Sequence, residues 1–122
     1  MSLRQTILTL LATLFLATGL HAQEKKKPLT LPDGVPEKVG KVLAYVDEHN
    51  KAMEGYEGGR NFGNFERLLP QKDDKGRQIR YREWDVNPLR LGVNRGAQRL
   101  ITGANGTAYY TDDHYKSFKK IR

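Results

Sequence analysis

The chain has 122 residues, with 21 Lys and Arg against 14 Asp and Glu, a formal net charge of +7 and no cysteine. That length supports one core and excludes a multidomain protein. The charge favours an anionic partner, whether nucleic acid, acidic membrane or acidic protein, without choosing among them, and the absence of cysteine excludes thiol catalysis and leaves stability to the core alone.

Residues 1–22 read as a signal peptide, because Arg4 is their only charge, an apolar run extends from Ile7 to Leu20, and the small Ala22 precedes the polar Gln23. The run falls short of the ~20 apolar residues of a membrane anchor and meets Glu24-Lys25-Lys26-Lys27 at once. Cleavage after Ala22 would leave a secreted, extracellular or periplasmic chain that has lost only Arg4 among its charges. Residues 23–35 are rich in Lys and Pro and form a basic mobile arm ending in a turn at Asp33-Gly34. The folded domain spans residues 36–122.

A helix is expected from Pro36 to Asn50, with Pro36 at its first position and Val39, Val42, Leu43 and Val46 on one buried face. His49 is expected to cap its C-terminal end. Gly55, Gly58 and Gly59 break the chain, and Gln71 to Gly76 make a polar turn. Beyond it the pattern turns to period two. Ile79 to Val86 reads as a half-buried strand, Trp84 and Val86 facing one way and Tyr81, Glu83 and Asp85 the other. Gln98 to Thr102, Ala108 to Thr111 and Tyr115 to Ile121 read as further strands, with Trp84, Leu100, Phe118 and Ile121 in the core. Their short connections imply an antiparallel meander, hence an α+β fold with the helix packed on one sheet face.

After processing the chain keeps two histidines, His49 and His114, and one serine, Ser117, which lies in no G-x-S-x-G turn. Cys/His zinc sites cannot be assembled, and the acidic pairs Asp73-Asp74 and Asp112-Asp113 suit solvated turns, so neither metal nor cofactor is expected. Carboxylate, histidine and arginine chemistry on a basic surface remains. RNA suits it, since its 2′-OH is an internal nucleophile and the protein need supply only a base, an acid and positive charge.

Four segments carry a more specific signal: Phe62-Gly63-Asn64-Phe65-Glu66-Arg67-Leu68-Leu69-Pro70, Tyr81-Arg82-Glu83-Trp84-Asp85-Val86, Arg95-Gly96-Ala97-Gln98-Arg99-Leu100-Ile101-Thr102-Gly103 and Tyr109-Tyr110-Thr111-Asp112-Asp113-His114-Tyr115-Lys116-Ser117-Phe118. In order and spacing they resemble the barnase-like, guanyl-specific microbial ribonucleases, a similarity that runs from about Gly58 to Arg122. The resemblance implies a metal-independent endoribonuclease that cleaves single-stranded RNA after guanine through a 2′,3′-cyclic phosphate. It implies Glu83 as general base, His114 as general acid, and Arg95 and Arg99 as holders of the scissile phosphate. It also implies that the loop of Phe62, Gly63, Asn64, Phe65 and Glu66 reads guanine, Glu66 taking the N1 and N2 protons, and that Tyr115 stacks on the base. Phe65 and Gly63 depart from the bacterial pattern, where Arg and Ser or Gln are usual.

Arg82, on the opposite face from Glu83, suits a structural salt bridge, and Lys38, Lys41 and Lys51 receive no role. The expected partners are single-stranded RNA and, by resemblance, an acidic barstar-like inhibitor, with the protein a monomer that forms no stable membrane association. Two rival readings are a catalytically weak RNA-binding module on the same scaffold and a basic secreted protein acting on membranes or another protein. The acid and base of the Glu, Arg, Arg, His set argue against the first, and the lack of a long basic amphipathic helix argues against membrane action.

Overall fold

The computed structural model describes residues 29–122, so the expected signal peptide and the first part of the arm lie outside the described residues. Helix α1, Glu37–His49, is followed by strands β1 (Gly58–Phe62), β2 (Tyr81–Asp85), β3 (Arg99–Gly103), β4 (Ala108–Thr111) and β5 (Lys119–Lys120). The strands form one sheet in chain order, every neighbouring pair antiparallel, although only the β3–β4 and β4–β5 connections are short.

Pro36 stands one position earlier than expected. Its φ of −62° suits a helix, but its ψ of 149° is extended, which makes it the N-cap residue. At the other end Asn50, left-handed at φ 54°, closes the helix by donating its N–H to the Val46 carbonyl, so His49 is not the cap. Val39, Val42, Leu43 and Val46 are buried against Trp84, Val86, Leu100, Ala108 and Tyr110, the residues that alternate onto one face of the sheet. Burying such side chains is worth about 1.5–3 kcal/mol each, which lets a 13-residue helix persist.

The second sheet face is covered too, contrary to the half-buried strand expected for β2. Leu69 and Ile79, from within the long β1–β2 connection, pack on Tyr81, Ile101 and Tyr109, and Tyr81 Oη donates to the Pro70 carbonyl at 2.6 Å. The connection thus folds over the sheet and closes a second small core.

Strand β1 is absent from the periodicity because its opening glycines look like breakers. They are there for contact: a Cβ on Gly58 would lie 2.9 Å from the Trp84 Cα, and Gly59 takes φ 93° where the register shifts between Gly58 and Arg60. The expected strand from Tyr115 to Ile121 shrinks to Lys119–Lys120, since His114 and Tyr115 adopt φ 56° and 73° and cannot extend a strand.

Candidate active site

The register places the polar side chains. Arg60 on β1 pairs with Glu83 on β2, which pairs with Ile101 on β3, while Asp85 pairs with Arg99 and Arg99 with Thr111. Paired residues project to the same side of a sheet, so Arg60, Glu83, Asp85 and Arg99 share the face opposite α1.

Asp85 organises this face. Its carboxylate is 1% exposed and lies 3.1 Å from Arg95 Nη1, 3.2 Å from Arg99 Nε and 3.3 Å from Arg60 Nη2. A buried carboxylate must be paired, and three guanidiniums do so. The Arg99 contact is off the hydrogen-bonding line and acts through charge, its Nη1 donating instead to the carbonyls of Gly96 at 2.9 Å and Gln98 at 2.7 Å. The turn at Gly96-Ala97 thus brings Arg95 and Arg99 together on Asp85. Glu57 adds a second carboxylate, 2.7 Å from Arg95 Nη1 and 3.5 Å from Arg60 Nη1.

Glu83 is held at both oxygens. Arg60 Nε donates to Oε1 at 2.9 Å and Tyr115 Oη donates to Oε2 at 2.5 Å. At 16% exposure the carboxylate is half-sheltered with an open side. The Glu83 bond and the charges of Glu83, Asp85 and Glu57 raise the Arg60 pKa above its ordinary value against a smaller opposing effect of burial, keeping a cation beside the candidate base. Arg60 and Asp85 are the residues that sequence reasoning missed. Asp85 was findable, two positions from Glu83 on one face; Arg60 was not, without β1.

His114 and Tyr115 sit in a turn built by Asp113. That carboxylate accepts from Thr111 Oγ1 at 2.9 Å, from the N–H groups of Lys116 and Ser117 at 3.1 and 3.0 Å, and from Ser117 Oγ at 2.5 Å. The Ser117 side-chain and backbone bonds lead in lowering the Asp113 pKa to about 2. His114 is exposed, its N–H tied to the Ala97 carbonyl at 3.2 Å, its ring 4.8 Å from that of Tyr115. Tyr115 turns its ring onto Phe62 at 5.2 Å and 28°, and burial, followed by its bond to Glu83, pushes its hydroxyl up to about 12. It therefore does more than offer an aromatic face: it also fixes Glu83.

Beside this cluster lies an apolar hollow of about 200 Å³, lined by Phe62, Asn64, Glu66, Tyr115 and Phe118 among others. Phe118, expected in the core, lines the hollow with one face. Asn64, at φ 50°, staples the loop: its Nδ2 donates to the Leu69 carbonyl at 2.8 Å, and Oδ1 accepts from the Leu69 N–H at 3.1 Å. The two departures from the bacterial pattern are coupled. Phe65 is 94% exposed yet lays its ring on Gly63, where a Cβ would meet Phe65 Cζ at 2.4 Å. A side chain at position 63 and this placement of Phe65 exclude each other.

Arg82 lies on the helix side, 4.5 Å over the Trp84 ring, and donates to Asn50 Oδ1 at 2.6 Å and the Gly59 carbonyl at 3.2 Å. Neutral acceptors and a ring face replace the expected salt bridge. Lys38 bonds Asn87 Oδ1 at 2.8 Å and Gln98 Oε1 at 2.7 Å, tying α1 to the loop that carries Arg95.

A family model for ribonuclease matches residues 21–122. Guanyl-specific ribonuclease St of Saccharopolyspora erythraea is 38% identical over 63 residues, 52% of this chain and 57% of that protein, so the match spans little more than half the curated relative's length. The crystal structure of ribonuclease Sa2 with guanosine-2′-cyclophosphate is similar at a TM-score of 0.52 and 29% identity, over 73% of this chain and 88% of that one. Its structure with 3′-GMP is similar at 0.53 and 28%, over 73% and 89%. With the helix-on-meander fold and a match across residues 21–122, the chain belongs to the microbial ribonuclease family that includes guanyl-specific ribonuclease St.

Proposed function

We propose that the protein is a secreted, metal-independent endoribonuclease that cleaves single-stranded RNA after guanine. The observation that carries this reading is the meeting, on one sheet face, of Glu83 with Arg60, Arg95 and Arg99, beside an apolar hollow with Glu66 at its rim. The names of the relatives agree with it: one is guanyl-specific and another holds guanosine cyclophosphate.

In the first step Glu83 takes the proton of the 2′-OH as that oxygen bonds to phosphorus. The bond from phosphorus to the 5′-oxygen breaks, and His114 protonates that oxygen as it leaves. In the second step neutral His114 takes a proton from water as the water oxygen bonds to phosphorus, the bond from phosphorus to the 2′-oxygen breaks, and Glu83 returns its proton to that oxygen. Arg95 and Arg99 supply positive charge as the pentacoordinate phosphorus gathers negative charge. Arg60 acts on Glu83 as a positioning residue. Guanine would seat in the apolar hollow against the ring of Tyr115, whose hydroxyl stays on Glu83.

The signal reading of residues 1–22 is the support for secretion; among the described residues no helix is long and apolar enough to cross a membrane. An acidic, barstar-like inhibitor in the producing cell follows from the same reading, as such an enzyme endangers its own cytoplasm. Digestion of a defined RNA with chelator present, followed by identification of the ends, tests the proposal. Cyclic and then 3′-phosphates after guanine are expected. Activity abolished by chelator, or 5′-phosphate products, would overturn it, and binding without turnover of a GpN dinucleotide would favour the RNA-binding module.

A further inference from the structure

A hollow of about 450 Å³, more than twice the volume of the one beside Glu83, opens elsewhere on the molecule. It opens between the turn that carries Lys72 to Arg77 and the edge strand β5, with Tyr109 in its wall and Lys120 on its far side. The register puts it on the same sheet face as the candidate active site, because Glu83 pairs with Ile101, Ile101 with Tyr109 and Tyr109 with Lys120. Three strand spacings separate Glu83 from Lys120, roughly 14 Å.

Its charge is unspent. Asp73 is taken up by Arg77, whose Nε donates at 2.9 Å, and by the N–H groups of Lys75 and Arg77 at 2.9 Å each. Lys72, Lys75 and Lys120 meet no carboxylate within ion-pair distance among the described residues, so three ammonium groups face the hollow against the single exposed Asp74. The hollow also connects to the base pocket. A smaller one of about 240 Å³, lined by Gly63, Asn64, Gln71, Lys72, Gln78 and Ile79, shares Asn64 with the base pocket, and shares Lys72 and Ile79 with the cationic hollow. Lysine-lined and open, this track suits a phosphate chain, with Ile79 and Tyr109 as its apolar floor.

We propose that the hollow framed by Lys72, Lys75 and Lys120 is a second phosphate-binding site, which holds the backbone of a single-stranded RNA whose base occupies the Phe62 to Glu66 pocket. This rests on the RNA-cleaving reading above and extends its substrate from a dinucleotide to a polymer. Each phosphate contact contributes ~0.7 to the slope of log affinity against log salt on single strands. At ~0.1 M salt each lysine is then worth roughly fivefold in affinity, and all three about a hundredfold.

The test compares the full-length protein with a Lys72→Gln, Lys75→Gln, Lys120→Gln variant and with a Lys41→Gln, Lys51→Gln control that removes charge from the helix and from the residue just past its C-cap. Binding of a 2′-O-methyl oligonucleotide, which cannot be cleaved, is followed by fluorescence anisotropy at several salt concentrations, and turnover of GpU is measured separately. The site variant should lose about a hundredfold in affinity at ~0.1 M salt, flatten the salt slope by about 2, and turn over GpU at the wild-type rate. The control should lose severalfold less per charge. Equal loss per charge in both variants, or no loss in the site variant, would overturn the second site. If GpU is not cleaved by wild type while the affinity pattern holds, the cleavage reading fails and the binding track stands.

Discussion

Replacing Asp85 by Asn is the sharpest test of how this site is built. The carboxylate is 1% exposed and Arg99 is 6% exposed, so the substitution leaves a buried guanidinium without its counter-charge. Breaking a buried pair from one side costs ~3–5 kcal/mol. Arg60, 42% exposed, can turn to water and adds little. Against a total stability of ~5–15 kcal/mol for a domain, that is a severe loss, and at ~4–8 °C per kcal/mol it lowers Tm by roughly 12–40 °C. Urea unfolding followed by circular dichroism measures the change, and kcat/KM on GpU reports the lost aim of Arg95 and Arg99. Adding Arg99→Met to Asp85→Asn should recover part of the stability, because the uncompensated charge is gone, while leaving activity low. A single variant within ~0.5 kcal/mol of wild type, or a double variant whose losses simply add, would refute Asp85 as the organising charge.

Under the proposed mechanism kcat/KM on a dinucleotide is bell-shaped in pH; Glu83→Ala should abolish its acidic limb and His114→Ala its alkaline limb, each with a loss of about a hundredfold or more in a stopped dinucleotide assay. Glu66→Ala should keep the bell shape yet cut the preference for GpN over ApN by roughly ten- to a hundredfold, because a bidentate contact to guanine is lost; an unchanged preference would remove Glu66 from base reading. Asp113, held at about 2, binds its proton more weakly folded than unfolded, so it stabilises the fold above the ordinary carboxylate pKa of ~3.9 and ceases to do so as pH falls towards 2. Asp113→Asn should therefore flatten acid unfolding in that window, as read by circular dichroism. Tyr115, pushed up to about 12, should be among the last tyrosines to ionise in a titration followed at the phenolate absorbance, and Tyr115→Phe should remove one such late step.

The legibility of this protein divides along the range of the interactions. Val39, Val42, Leu43 and Val46 declare α1 by spacing alone, and the alternation of Trp84 and Val86 against Tyr81, Glu83 and Asp85 declares β2, because both patterns are local and follow the helical and strand periods. The reversals from β3 to β4 and from β4 to β5 follow from short connections, whereas the longer ones between β1, β2 and β3 leave the pairing to the tertiary fold. The Phe62 to Glu66 loop and the His114 turn were legible as motifs, though their geometry was not.

Strand β1 and Arg60 stayed hidden, since the glycines that read as breakers are required by the approach of Trp84, a residue 26 positions from Gly58. The second small core stayed hidden for the same reason: only when the β1–β2 connection folds back do Leu69 and Ile79 find Tyr81, Ile101 and Tyr109. Sequence alone determined the helix, the central strands and the supply of carboxylate, histidine and arginine side chains. Tertiary structure decided that Asp85 gathers three arginines and that Arg60 and Tyr115 grip Glu83 from two sides. Such pairings join residues distant in the chain, and charge and direction at a point in space leave no period in a sequence.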